Sequence, residues 1–213
     1  MTIFKKNIGP STEHVEKIFK VWSGFYDHPL PQKLFYGRIH NILLKALKDL
    51  KPISILDAGC GTGELFTKIA KQWPAAKLVG LDLSADMLKV AADKTYLNDD
   101  VSFIEASVYD IPSPDEEFDL ITNNISSHFY LEFEDALREF ARVLKPGGTL
   151  AMASLTNGAV GVFPGPFKKE LPMAEMRFRG TSFQKKELQR CGFKVSRVIR
   201  LPLNARLFIA TKC

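Results

Sequence analysis

Two acids, a run of alternating glycines and one histidine are the residues of this chain whose types and spacing suit chemistry. The first acid is Asp57 and the glycines are Gly59, Gly61 and Gly63, within Ile53-Ser-Ile-Leu-Asp-Ala-Gly-Cys-Gly-Thr-Gly63. Glycine reaches positive φ without strain and lets a ligand touch backbone with no Cβ in the way. In a dinucleotide fingerprint, G-x-G-x-x-G, the last glycine lies in the first helical turn and pyrophosphate sits at the helix N-terminus. Here the spacing is G-x-G-x-G, and Asp57 stands two residues ahead of it. A carboxylate at such a loop repels pyrophosphate and suits a ligand carrying an ammonium group. The second acid, Asp82, lies nineteen residues beyond Gly63, the spacing at which a strand-end carboxylate accepts from ribose hydroxyls. Nicotinamide enzymes use the same device, so Asp82 points to an adenosine ligand without choosing which. The histidine is His128, in Asn123-Asn124-Ile-Ser-Ser-His-Phe129. An imidazole can take a proton from an oxygen, nitrogen or activated carbon nucleophile near neutrality. It can equally bond backbone and shape a pocket.

The elements that must position these residues alternate. Ile53, Ile55, Leu56 and Ala58 read as a buried strand, and Leu65, Phe66, Ile69 and Ala70 as the helix that follows from Glu64. Leu78, Val79 and Leu81 form a second strand ending at Asp82, with Ser84 an N-cap candidate and Asp86 in the first turn. Strands follow at Val101–Ala106 and Phe118–Thr122. Phe133, Ala136, Leu137, Phe140, Val143 and Leu144 share one helical face, stopped by Lys145-Pro-Gly-Gly148. Leu150–Leu155 is a fifth strand, Thr181 with Gln184 resembles a capping box, and 194–201 with 205–211 read as an antiparallel hairpin. Strands alternating with helices predict an α/β fold with a parallel sheet. Ahead of it, residues 11–50 carry helical spacing, interrupted by Pro29 and Pro31. His14 and His40 fall on those helical patterns and read as structural.

Length and composition set bounds. A chain of 213 residues predicts one domain with appendages, and its 46% hydrophobic content suffices for a core without disulfides. Cys60, Cys191 and Cys213 are scattered and lack C-x-x-C spacing, which suits reduced thiols of a cytoplasmic protein and no metal site. The first residues carry no apolar signal core, and no stretch reaches transmembrane length. Net charge is +5, too small to demand nucleic acid, and basic residues concentrate in 168–200. That stretch is a solvated face or a surface for acidic substrates, lipid headgroups or RNA. Residues 156–180 lack a period and hold several Gly and Pro, and a loop that long in a compact domain is more often functional than idle.

The strand, Asp57 and the three glycines resemble motif I of the class I S-adenosylmethionine-dependent methyltransferases. Arg142-Val-Leu-Lys-Pro-Gly-Gly-Thr-Leu150 resembles that family's lead into its fifth strand, and Trp22-Ser-Gly-Phe-Tyr26-Asp27 resembles a W-x-x-x-Y-D element that folds over the cofactor. The resemblance implies a Rossmann-like, seven-stranded, mostly parallel sheet with helices on both faces and an N-terminal helical cap. It divides the chain into a cap at 1–50 and a cofactor-binding domain at 51–213, with a substrate-side insertion at 156–180. It implies S-adenosylmethionine held by Tyr26, Asp57, Gly59, Cys60, Gly61, Thr62, Gly63, Asp82, Leu83, Met87, Ser107, Val108, Asn123 and Asn124, with His128 catalytic and His28 a weaker contender. Ser107 departs from the pattern, standing where the family has an aspartate on the adenine amino group. No N/D-P-P-aromatic motif follows the fourth strand, and no cysteine is placed as a pyrimidine nucleophile, so DNA-base methylation is set aside. The His128 loop and the Trp22–Asp27 element are most similar to the ubiquinone and menaquinone C-methyltransferase group, which implies a small-molecule or lipid-like acceptor. Two rivals remain at this point: a nicotinamide-dependent oxidoreductase, and a non-catalytic S-adenosylmethionine-binding protein that acts through a partner.

Overall fold

The computed structural model describes residues 3–5, 36–96, 98, 100–158 and 176–213, the first three by backbone alone. The strands are β1 (Ile3–Lys5), β2 (Ser54–Ala58), β3 (Lys77–Asp82), β4 (Val101–Glu105), β5 (Phe118–Asn124), β6 (Leu144–Leu155), β7 (Phe193–Arg200) and β8 (Ala205–Lys212). The helices are α1 (Gly37–Ala46), α2 (Glu64–Gln72), α3 (Ala85–Ala92), α4 (Phe133–Val143) and α5 (Thr181–Arg190).

The strands form one sheet in the order β1-β4-β3-β2-β5-β6-β8-β7. All pairs are parallel except β6 with β8 and β7 with β8. The seven expected strands are present, and the short β1 adds an eighth, running parallel along the outer edge of β4. Three residues with no flanking turn signal were too little for a sequence pattern to reveal.

The central strands β2, β3 and β5 are buried on both faces, as parallel strands are, whereas β7 at the antiparallel edge is largely exposed. Strand neighbours alternate between two cores. Ile55, Leu78, Leu120, Ala151 and Leu207 pack with Leu43 of α1, Phe66 of α2 and Leu88 of α3. Leu56, Val79, Ile121, Met152 and Phe208 pack with Leu137 and Phe140 of α4 and Leu188 of α5. Period-two alternation along each strand therefore puts three helices on one face and two on the other.

Local signals account for most element ends. Ser84 caps α3, its hydroxyl accepting from the Met87 amide at 3.3 Å. Two expectations are corrected. β6 begins at Leu144 rather than Leu150, because Leu144 pairs with Phe118 before a register shift, and Gly147, at φ 75°, turns inside the strand. The Thr181 capping box does not form. Gly180 is the N-cap, and Gln184 instead reaches back to donate to the Arg179 carbonyl at 2.8 Å. Of the cap expected over 1–50, β1 and α1 are described, while Trp22, Tyr26, His28 and most of 156–180 lie outside the described residues.

Strand order reverses between β2 and β5: from β2 the chain builds outward through β3 and β4, and from β5 through β6 the other way. The carboxyl ends of β2 and β5 thus flank the crevice where open α/β sheets bind ligands.

Candidate active site

Asp57, the three glycines, Asp82, Ser107, Asn123, Asn124 and His128 all lie at the carboxyl ends of β2–β5 or in the segments leaving them. Gly59, Gly61 and Gly63 have φ of 75°, 55° and 78°, a left-handed path that other residues take only under strain. A Cβ at Gly59 would stand 2.7 Å from the Ser126 hydroxyl, whereas at Gly61 it would meet nothing within 4 Å. Among the described residues, the loop is therefore packed against protein at its start and open at its middle. The Gly59 and Cys60 amides both donate to the Leu81 carbonyl, at 2.7 and 2.9 Å, which ties the loop to the end of β3.

Asp82 is the hub. Its Oδ2 accepts from the Gly61 amide at 2.8 Å and its Oδ1 from the Ser84 amide at 3.0 Å. Burial raises its proton affinity, and these amides oppose that rise. The carboxylate is thus oriented by backbone, with lone pairs left for a ligand's hydroxyls. Asp57 spends one oxygen on the neighbouring strand, accepting from the Thr122 hydroxyl at 2.6 Å. Burial pushes it up to about 7, with Thr122 opposing and nearby Asp82 adding to the rise. Cys60 is buried between these acids, and burial and both charges hold its thiol protonated. Thr62 and Met87 are buried beside the loop. Ser107 follows β4, its hydroxyl accepting from the Tyr109 amide at 3.2 Å, and Val108 is buried beside it. The Ala106 amide binds the Asp82 carbonyl at 3.1 Å, so Leu83, Ser107 and Val108 all lie on segments leaving this strand pair.

At the end of β5, Asn123 is fully buried. Its amide nitrogen donates to the Ala58 carbonyl and meets the Ser126 and Tyr130 hydroxyls, all at 2.7 Å. Burial drives the Tyr130 hydroxyl up, keeping it a proton donor. Asn124 reaches the other way, with its Nδ2 2.9 Å from His40 Nε2 on α1. Between these asparagines and Ser126 the chain turns at Ile125, a β-branched residue at φ 52°. Such a conformation costs about 1–3 kcal/mol and concentrates at functional sites. Here it swings the chain off the sheet into the short 3-10 turn Ser127–Phe129.

His128 occupies that turn. It is buried beside Phe129, and the Phe178 ring lies parallel to it with 6.0 Å between centroids. Burial, and secondarily the charge of Arg179, lower the imidazole to about 3. His40 is likewise lowered to about 3, by burial and then Lys68. Both rings are therefore neutral at neutral pH. Five buried polar atoms lack partners among the described residues, and four of them belong here: Nδ1 of His40 and of His128, and Oδ1 of Asn123 and of Asn124. Orphaned polar atoms are costly to leave unpaired, and their concentration at the crevice marks where a ligand's own donors and acceptors are wanted.

Sequence reasoning missed four participants. His40, read as a helix-pattern residue, does lie buried on α1, and it also touches Asn124. Tyr130 and Ser126 each sit two residues from His128 and carry no sequence signal of their own. Arg179 was one of many basic residues, and its contacts lie about fifty positions away. Only the helical phase of His40 was a signal available beforehand.

Comparison with known proteins agrees with this geometry. Residues 55–148 match the family model described as a methyltransferase domain. The chain is 30% identical over 156 residues to a demethylmenaquinone methyltransferase from Staphylococcus carnosus, covering 71% of this chain and 64% of that one. It is 32% identical over 154 residues to a ubiquinone/menaquinone biosynthesis C-methyltransferase from Pseudomonas savastanoi pv. phaseolicola, covering 68% and 60%. The chain thus spans under two thirds of the length of these relatives. A crystal structure of a SAM-dependent methyltransferase from Aquifex aeolicus superposes with TM-score 0.71 at 24% identity, covering 97% of this chain and all of that one. With its sheet order, switch-point glycine loop and Asp82 hub, the chain has the fold of the S-adenosylmethionine-dependent methyltransferases, and its residues 55–148 match a methyltransferase domain.

Proposed function

We propose that this chain transfers a methyl group from S-adenosylmethionine to a small-molecule or lipid-like acceptor, with reduced, ring-hydroxylated quinones the first class to test. The observation that carries the reading is Asp82, held by the Gly61 and Ser84 amides at the switch point, beside a glycine loop whose middle is open. The residues fit the donor. Asp82 offers acceptors to ribose hydroxyls, and Ser107 keeps one lone pair and its hydrogen for the adenine edge. Asn123 Oδ1 and Asn124 Oδ1, without partners among the described residues, are acceptors suited to an ammonium group. The tight Asp57–Thr122 pair underpins the loop from below. Bound there, the donor supplies an electrophilic methyl group and a neutral thioether leaving group.

The chain's own task is to align the acceptor and handle its proton. His128 is the residue assigned to that task. Its low proton affinity makes it a neutral hydrogen-bond acceptor for an acceptor hydroxyl, rather than a base already poised at pH 7. The flanking Phe129 and Phe178 rings suit a flat aromatic acceptor. The names of the quinone C-methyltransferase relatives support the same class. The G-x-G-x-G spacing and the family match disfavour a nicotinamide oxidoreductase. The reading keeps the division into a cap at 1–50 and a cofactor domain at 51–213, and includes Tyr26 on the cofactor side.

No described helix is long and apolar enough to cross a membrane. Contact with acidic lipid headgroups belongs to the reading through the described part of 168–200, where Lys185 and Lys186 are exposed next to Phe183, 49% exposed. Activity is tested with a short-chain demethylated menaquinol and labelled S-adenosylmethionine. Transfer of label to the ring carbon supports the reading, and donor binding with no transfer to quinol, phenol or amine acceptors overturns it.

A further inference from the structure

Arg179 is half-buried, yet it has no ion-pair partner among the described residues. Its Nη1 donates to the carbonyls of Ser127 and Arg177, each at 3.2 Å, and its Nη2 to those of Tyr130 at 2.5 Å and Leu131 at 3.3 Å. Its guanidinium carbon lies 4.7 Å from the centre of the Phe133 ring, at the start of α4. Its own backbone is fixed by Gln184, fully buried in α5, which donates to the Arg179 carbonyl. Two residues earlier, the Arg177 amide donates to the His128 carbonyl at 2.7 Å, and between them Phe178 lies parallel to the His128 ring. The segment 177–179 thus grips the loop at His128 itself and on either side of it.

We propose that Arg179 is a positioning residue for His128, fixing the imidazole's orientation by tying the carbonyls of Ser127, Tyr130 and Leu131 to the start of α5. The inference rests on the reading of His128 given above. A three-residue 3-10 turn has too few internal bonds to hold a side chain by itself. It follows Ile125, whose strained backbone favours relaxation once outside restraints are removed. The planar fork of arginine can serve several carbonyls at once, which the point charge of lysine cannot. A charged group desolvated for this purpose would be a poor choice for mere surface packing, where a neutral residue costs less.

The test is ring-nitrogen NMR on the full chain with labelled histidine, following His128 in wild type, Arg179→Gln and Arg179→Lys, with Tm measured alongside. The wild-type ring is expected to hold one neutral tautomer from pH 5 to 8. In both variants its two nitrogens should average, and in Arg179→Gln protonation should set in at least about one pH unit higher. If Arg179→Gln does not fold, the lysine variant, which keeps the charge, gives the same readout of ring orientation. Wild-type ring signals in a folded variant overturn the proposal and leave the role of His128 standing. Averaged signals, with His128→Gln still methylating the short-chain quinol at the wild-type rate, support the positioning and overturn the catalytic reading instead.

Discussion

The glycine loop after β2 and the histidine loop after β5 face one another across the crevice, and they are built on opposite terms. The glycine loop is held by backbone: Leu81 carbonyl, Asp82 carboxylate and the Gly59 and Gly61 amides satisfy each other over short, regular distances. The histidine loop carries strain at Ile125, a His128 Nδ1 with no partner among the described residues, and restraints imported from Arg177 and Arg179. A finished loop suits a constant ligand such as a cofactor. An unfinished one suits a partner that completes it on arrival, as an acceptor substrate does.

The largest expected effect breaks the first loop alone. Asp82→Ala removes the anchor of the Gly61 amide together with the ribose acceptor. Two charge-assisted bonds of about 1.5–3 kcal/mol each predict at least ~100-fold weaker S-adenosylmethionine binding, read by calorimetry. His128→Gln breaks only the second loop. Turnover should fall by about 100-fold, the usual size of one acid–base contribution, with donor affinity unchanged. Equal losses in binding and turnover would show that the two regions are not separable.

The first loop was legible in the sequence and the second was not. Asp57, the glycines and Asp82 lie within twenty-six consecutive residues, where spacing encodes geometry directly. The alternating apolar strands and the Ser84 cap were legible for the same local reason. His128 could be picked out by type and place, but not its neutral state, because burial and the charge of Arg179 come from distant segments. Arg179 itself is silent in the sequence, since an arginine bound to carbonyls looks like any surface arginine. The early start of β6 was hidden because Pro146 and Gly147 look like a full stop, and only pairing with Phe118 extends the strand through them.

Gly59→Ala couples the regions. Its Cβ would push 2.7 Å from Ser126 Oγ at a backbone φ of 75°, so both loops should suffer. Stability should drop by about 1–3 kcal/mol in urea unfolding, with turnover reduced as well. Gly61→Ala shares the φ penalty without the clash and should leave the histidine loop intact.

The smallest effects concern pH. His128 has its folded pKa depressed from 6.5 to about 3, so the unfolded chain binds more protons between those values. Stability from this group is complete above pH 6.5 and is lost as pH falls toward 3. Asp57 has the opposite sign: raised from 3.8 to about 7, it lowers stability as pH rises through that window. Unfolding curves from pH 4 to 8 should therefore show His128→Gln flattening the acid-side loss and Asp57→Asn flattening the decline toward neutrality. Parallel profiles for wild type and both variants would contradict the buried, neutral assignments.

The most direct measurement is calorimetric titration of the purified chain with S-adenosylmethionine, S-adenosylhomocysteine and NAD. The geometry at Asp82 and the glycine loop predicts micromolar binding of the first two and none of the third. Binding of NAD in their place, or of none of the three, would contradict the account.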